Sequence, residues 1–305
     1  MSSPNPILIK LGLSDNDRVV IFHADDIGNF QGSLDAYRDL VDVGLLSSAS
    51  TMVPCPWFPA TAEFCRTHAG HPNLDMGVHL TLTSEWDAYR WGPVTTSDPA
   101  TGLVDDEGYF HRTSAAVQQQ ADLQALRAEL RAQIERARTA GIDITHIDSH
   151  MFTLIHPRLV DTYIDLALEF HVPPFLLRDR ESAAFEYFSP AVADQLLDCV
   201  PAWEEQGLPL LDDAAVLPLN NAQDRAGQLL AKLNSLKPGI TYLVVHPTKD
   251  TPGLREAVSD QDWPCRVADY EIFLDTAVRD AVRETGVHVI GWRALRELMP
   301  GRGGA

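Results

Sequence analysis

Residues 18–28, RVVIFHADDIG, set the frame for the rest of the chain. Their apolar run over 18–24 has the pattern of a buried strand, and it ends on two adjacent carboxylates, Asp25 and Asp26, with Gly28 just beyond. Comparable short runs recur at 47–53, 75–82, 143–149, 174–178, 208–213, 241–246 and 287–291. Between them, apolar residues at helical spacing cover 33–44, 58–69, 123–137, 158–170, 221–236 and 266–285. Alternating strand and helix signals predict βα units around a parallel sheet. The expected fold is therefore α/β, a single-domain, irregular (β/α) barrel of parallel strands over residues 1–305, with an open doubly wound sheet as the alternative. The stretch 84–114, rich in turn residues and aromatics, reads as a long loop over the site, and the glycine-rich 300–305 as a flexible tail.

Composition narrows the partners. With 24 Lys and Arg against 43 Asp and Glu, the formal net charge is -19, a field that repels phosphate backbones and anionic membranes. Nucleic acid and membrane are not expected partners. The opening MSSPNPILIKLGLSDNDR lacks the pattern of a secretory signal, and no run approaches the roughly 18 apolar residues of a membrane span. Cys55, Cys65, Cys199 and Cys265 are scattered without a CxxC pair, which fits a reducing cytoplasm.

Ionisable residues gather at strand ends. Asp25 and Asp26 point to opposite faces of an ideal strand, so they share a site only if the backbone turns there; otherwise one caps the next helix and the other is solvated. In GVHLTLT (77–83), His79 shares a face with Thr81 and Thr83, as a ligand or as a satisfied core histidine. In THIDSH (145–150), His146, Asp148 and His150 occupy alternate positions, so a metal or a hydrogen-bond network must offset their burial. Asp148 is placed to orient a ligating histidine, and His146 to belong to a structural network. VVHP (244–247) ends a strand on His246. Strand C-terminal ends are where barrel active sites assemble, so the convergence of Asp and His on one rim points to chemistry. Arg178 ends the PPFLL run, to bind substrate, to hold Asp25 or to form a surface ion pair. Trp86, Tyr89 and Trp91 offer flat faces for stacking on sugar rings or for packing the loop onto the barrel.

The ordered set HADDIG, GVHLTLT, THIDSH, Arg178 and VVHP resembles the YdjC-like carbohydrate deacetylases, the family that includes chito-oligosaccharide deacetylases. The resemblance implies a distorted (β/α) barrel, frequently a homodimer, that removes acetyl groups from N-acetylated sugars with one divalent metal ion, Mg or Zn. Carried over by motif, Asp26, His79 and His150 are the metal ligands and Asp25 is the general base. His246 is then placed to protonate the departing amine. Two positions depart from the family pattern: Phe152 stands where a second histidine is usual, and His23 stands where many relatives have Asn. The alternatives are a metal-dependent amidase or esterase acting on another small acyl compound, and a non-catalytic carbohydrate-binding barrel.

Overall fold

The computed structural model describes residues 4–301. Its parallel strands are β1 (Arg18–Ile27), β2 (Ser48–Thr51), β3 (Met76–Leu80), β4 (Ile144–Ser149), β5 (Asp213–Val216), β6 (Gly239–Val245) and β7 (His288–Val289). They follow the order β4-β3-β2-β1-β6-β5, with β7 added beside the start of β1.

The two ends of that order meet through the extended segment 173–178. On one side Ile147 N–H donates to Pro173 O and Phe175 N–H to Ile147 O, both at 3.0 Å. On the other, Leu211 N–H donates to Leu176 O and Arg178 N–H to Leu211 O, both at 2.9 Å. Leu211 lies just ahead of β5, so these bonds close the sheet into the expected irregular α/β barrel rather than an open doubly wound sheet. The irregularity has a local cause. Pro173 and Pro174 supply no N–H, and the run read as a strand at 174–178 makes only isolated bridges. The run read at 208–213 is likewise displaced, its ladder beginning at Asp213, and the last strand shrinks from 287–291 to two residues.

Helices on the outside bury most of the expected stripes; Leu126, Leu130, Ile134 and Ala137 of Leu123–Thr139 are buried, while Leu123 at its start is exposed. The helix expected over 266–285 is two, Trp263–Leu274 and Thr276–Glu284, because Asp275 adopts an extended backbone and its carboxylate accepts from Ala277 N–H to start the second. Buried Glu129 pins the 84–114 loop from below, accepting from Val94 N–H at 3.0 Å and Thr95 N–H at 2.9 Å. Of the tail expected at 300–305, residues 302–305 lie outside the described residues. All four cysteines are free thiols, and among the described residues no helix is long and apolar enough to cross a membrane.

The barrel interior departs from the branched apolar layers usual for such folds. His23, His146 and Asp148 lie there, fully or almost fully buried. The His146 ring stacks on Trp292, with centroids 4.9 Å apart, and fills the space beside Gly77, where an added Cβ would come within 2.4 Å of the ring. Gly77→Ala is therefore expected to destabilise the protein by about 1–3 kcal/mol, the usual cost of overpacking. Denaturant unfolding of the variant measures this, and unchanged stability would mean that the ring moves freely.

Candidate active site

β1 delivers the first carboxylates. Its pairing with β2 shifts register between Ala24 and Ile27, and Asp26 adopts a left-handed backbone, φ 65°, followed by Gly28 at φ 91°. This is the turn that the adjacent aspartates required, made one residue pair earlier than the glycine. Both carboxylates consequently approach one histidine, with His79 Nε2 3.5 Å from Asp26 Oδ1 and 3.9 Å from Asp25 Oδ2. Neither caps the following helix, Gln31–Val43, which starts without a side-chain cap. A left-handed non-glycine residue costs about 1–3 kcal/mol, and such strain concentrates at functional sites.

β3 supplies His79 and the end of β4 supplies His150. His79 Nδ1–H donates to Asp148 Oδ1 at 2.8 Å, which fixes the ring and turns the lone pair of Nε2 towards Asp26. His150 Nε2–H donates to Glu85 Oε1 at 3.1 Å, which turns the lone pair of Nδ1 to the same point. Arg266 Nη1 donates to Asp26 Oδ2 at 2.8 Å and leaves Asp26 Oδ1, buried, without a hydrogen-bond partner. Three electron-pair donors thus converge: His79 Nε2 and His150 Nδ1 are 3.1 Å apart, and Asp26 Oδ1 lies 3.5 Å and 3.2 Å from them.

Such a cluster demands a cation. Its spacing suits a divalent metal, since ligands about 2.0–2.1 Å from a tetrahedral ion lie about 3.3 Å from each other. The donor set fits too, one carboxylate and two imidazoles. Protons answer the same demand in its absence. Burial disfavours charge on His150, but Glu85 and Asp26 outweigh it and raise the imidazolium pKa to about 9. Burial likewise opposes charge on His79, yet Asp148 and Asp25 hold its pKa well above the usual value. Burial opposes the Asp26 carboxylate, and His150, His79 and Arg266 hold it well below the usual range. A raised pKa keeps the proton on His150 at neutrality, so metal binding there must displace it. Affinity is expected to rise with pH through and above neutrality, because His79 and His150 must both lose their protons. Calorimetric titration with zinc in buffers of different ionisation enthalpy reads the released protons; no release at pH 7 would contradict it.

Asp148 sits under the cluster. Besides His79, it accepts from Tyr242 Oη at 2.8 Å and pairs with His23 Nε2 at 3.0 Å. Burial works against its charge, but the surrounding imidazoles of His79, His146 and His23 hold its pKa well below the usual range. Replacing Asp148 with Asn frees His79 to rotate or change tautomer, and metal affinity is expected to fall by about 10–100-fold. Competition against a chromophoric chelator measures it, and unaltered affinity would show that the strand alone orients His79. His146 lies apart from the Asp26 cluster, deeper in the barrel, with Nε2 buried and without a hydrogen-bond partner.

Asp25 lines the cavity and is held by one oxygen. Its Oδ1 accepts from Tyr242 Oη at 3.3 Å and pairs with His23 Nε2 at 3.2 Å, leaving Oδ2 towards His79. His246 follows β6 and faces the same cavity; its backbone N–H donates to Asp269 Oδ2 at 2.9 Å, while its Nδ1 is buried and unpartnered. Burial, then the Arg266 charge, lower its pKa.

Asp25, Asp26, Glu85, His150, His246 and Arg266 line the floor of a cavity of about 800 Å³ at the C-terminal ends of the strands. Trp86 lines it. Tyr89 and Trp91 do not: Tyr89 Oη donates to Asn29 O, and Trp91 is 4% exposed with Nε1 donating to Thr83 O at 2.8 Å, so both tie the loop to the barrel. Arg178 is also outside the lining, with ion pairs to Glu204 at 2.9 Å and Asp212 at 3.2 Å. Glu85, Arg266, Tyr242 and His23 were not assigned roles from sequence. Glu85 closely follows GVHLTLT, a weak local signal, whereas Arg266 stands 240 residues from its partner Asp26 and leaves none.

A carbohydrate deacetylase from Thermus thermophilus is 33% identical over 96% of this chain and 99% of its own length. Another, from Thermoanaerobacter pseudethanolicus, is 31% identical over 75% of this chain and 81% of its own. A crystal structure from Enterococcus faecalis, of a protein named for cellobiose-phosphate cleavage, superposes with a TM-score of 0.73 over 92% of this chain and 99% of its own, at 22% identity, and shares the fold. The profile of the YdjC-like protein family matches residues 19–284. The chain belongs to the YdjC-like family.

Proposed function

We propose that this protein is a metal-dependent hydrolase that removes acetyl groups from N-acetylated sugars or oligosaccharides, releasing acetate. The observation that carries the reading is the convergence of Asp26 Oδ1, His79 Nε2 and His150 Nδ1 beside the cavity-facing Asp25. Relatives named carbohydrate deacetylases that align over most of the chain support the sugar and the acetyl group. Asp26, His79 and His150 would hold one divalent ion, Zn or Mg, and a bound ion supplies Lewis acidity, lowering the pKa of water and polarising a carbonyl oxygen.

The chain's own groups handle the protons. Asp25, anchored through Oδ1 by His23 and Tyr242, presents Oδ2 to accept the proton of the attacking water. His246, whose Nδ1 faces no other hydrogen-bond partner, donates a proton to the departing amine. Its lowered pKa leaves the resting imidazole mostly neutral at pH 7, so the proton it delivers is one gained during turnover, originating from the attacking water. Arg266 and Glu85 fix the orientation of Asp26 and His150. Trp86 lines the approach. Cytoplasmic location and a homodimer belong to the same reading, and sedimentation of the purified protein checks the latter.

Acetate release from N-acetylglucosamine oligomers, N-acetylated amino acids and acetyl esters tests the proposal. Turnover confined to the sugars is expected. Turnover of the amino acids or esters alone would reassign the protein as another acyl hydrolase.

A further inference from the structure

The cavity has two unlike halves. Its floor is acidic: Asp25, Asp26, Glu85 and Asp262 all line it. Arg266 is the one Lys or Arg among the described lining residues, and it is engaged by Asp26 at 2.8 Å and Asp262 at 2.9 Å. The opposite wall is apolar and aromatic. Phe152 lies with its ring centroid 5.9 Å from Tyr187 and 6.0 Å from Phe188. Tyr187 and Met151 line it while 63% and 57% exposed, unusual for large apolar side chains on a rim. The turn that delivers this wall is strained, because Met151 and Phe152 both adopt left-handed backbone, φ 54° and 51°, directly after His150.

We propose that Met151, Phe152, Tyr187 and Phe188 form a subsite for an uncharged sugar unit adjoining the one that reacts, so that the substrate is a neutral oligosaccharide and phosphorylated sugars are disfavoured. The inference rests on the carbohydrate reading of the site. Pyranose rings present apolar C–H faces that pack on aromatic rings, and the wall is continuous with the catalytic floor in one cavity. Ligand pockets commonly span about 300–1,000 Å³. At about 800 Å³ the cavity has room beyond a single ring. With Asp26 and His150 turned to the ion they would hold, a phosphate on the substrate would still meet Asp25, Glu85 and Asp262 and a guanidinium already paired with Asp26 and Asp262.

The test compares the N-acetylglucosamine monomer, its dimer and trimer, and the dimer 6-phosphate, by acetate release from the metal-loaded enzyme and by calorimetric binding to the Asp25→Asn protein. Expected is a kcat/KM for the dimer about tenfold above the monomer, an advantage that Tyr187→Ala and Phe152→Ala largely remove and Tyr187→Trp keeps, with the dimer 6-phosphate at least about tenfold poorer than the dimer. Equal loss on monomer and dimer, or a phosphorylated dimer used as well as the neutral one, would overturn the proposal. Absence of acetate release from every sugar would defeat the deacetylase reading alone. Binding then decides the subsite, upheld by a dimer affinity that Tyr187→Ala weakens about tenfold and overturned by one it leaves unchanged.

Discussion

Asp25→Asn is expected to leave a folded protein that still takes up about one metal ion per chain, while acetate release falls by about 10²–10⁴-fold, the range that general-base catalysis contributes. Asn keeps the volume and keeps an oxygen for Tyr242, which donates to Asp25 Oδ1 at 3.3 Å. What it removes is the basic oxygen 3.9 Å from His79 Nε2. The converging donor atoms of Asp26, His79 and His150 are untouched, so metal content and turnover should separate. Loss of the metal instead would mean that the roles of the two aspartates are exchanged.

Asp26→Asn is expected to do the opposite: abolish metal retention and, with it, acetate release. The carboxylate has two tasks, accepting from Arg266 through Oδ2 at 2.8 Å and aiming Oδ1 at the two imidazoles. In Asn the carbonyl oxygen keeps the buried guanidinium partnered, and the amide then presents N–H donors where a ligand lone pair is required. Because breaking a buried ion pair outright costs about 3–5 kcal/mol, Asn is a better probe than Ala, which would confuse metal loss with unfolding. Elemental analysis after gel filtration and acetate release measure the effect. Full metal content in Asp26→Asn would contradict the ligand assignment.

Periodicity carried most of the barrel, because helices with one apolar stripe and strands of β-branched residues declare themselves within a few residues. It failed where backbone chemistry overrode the pattern. Proline removed ladder donors at 173 and 174, and Asp275 broke one amphipathic pattern into two helices. The convergence of Asp and His on one rim was legible because closure brings the strands' C-terminal ends together, whereas the choice of Asp26, His79 and His150 among them came from the resemblance to the YdjC-like family. Asp148 behind His79 was legible from alternation along β4. The partners of the other two were not. Arg266 and Glu85 come from a helix and a loop whose approach to the rim depends on tertiary packing, as do Tyr187 and Phe188 on the aromatic wall. Aromatic side chains in the 84–114 loop gave a misleading local signal, since Tyr89 and Trp91 hold the loop down and only Trp86 of the three reaches the cavity.

The most direct measurement is elemental analysis of the purified protein, paired with acetate release from N-acetylglucosamine oligomers before chelation, after it, and after return of zinc or magnesium. The expected result is about one divalent ion per chain, with acetate release lost on chelation and restored by metal. Acetate release that persists in chelated protein containing no metal would contradict the account.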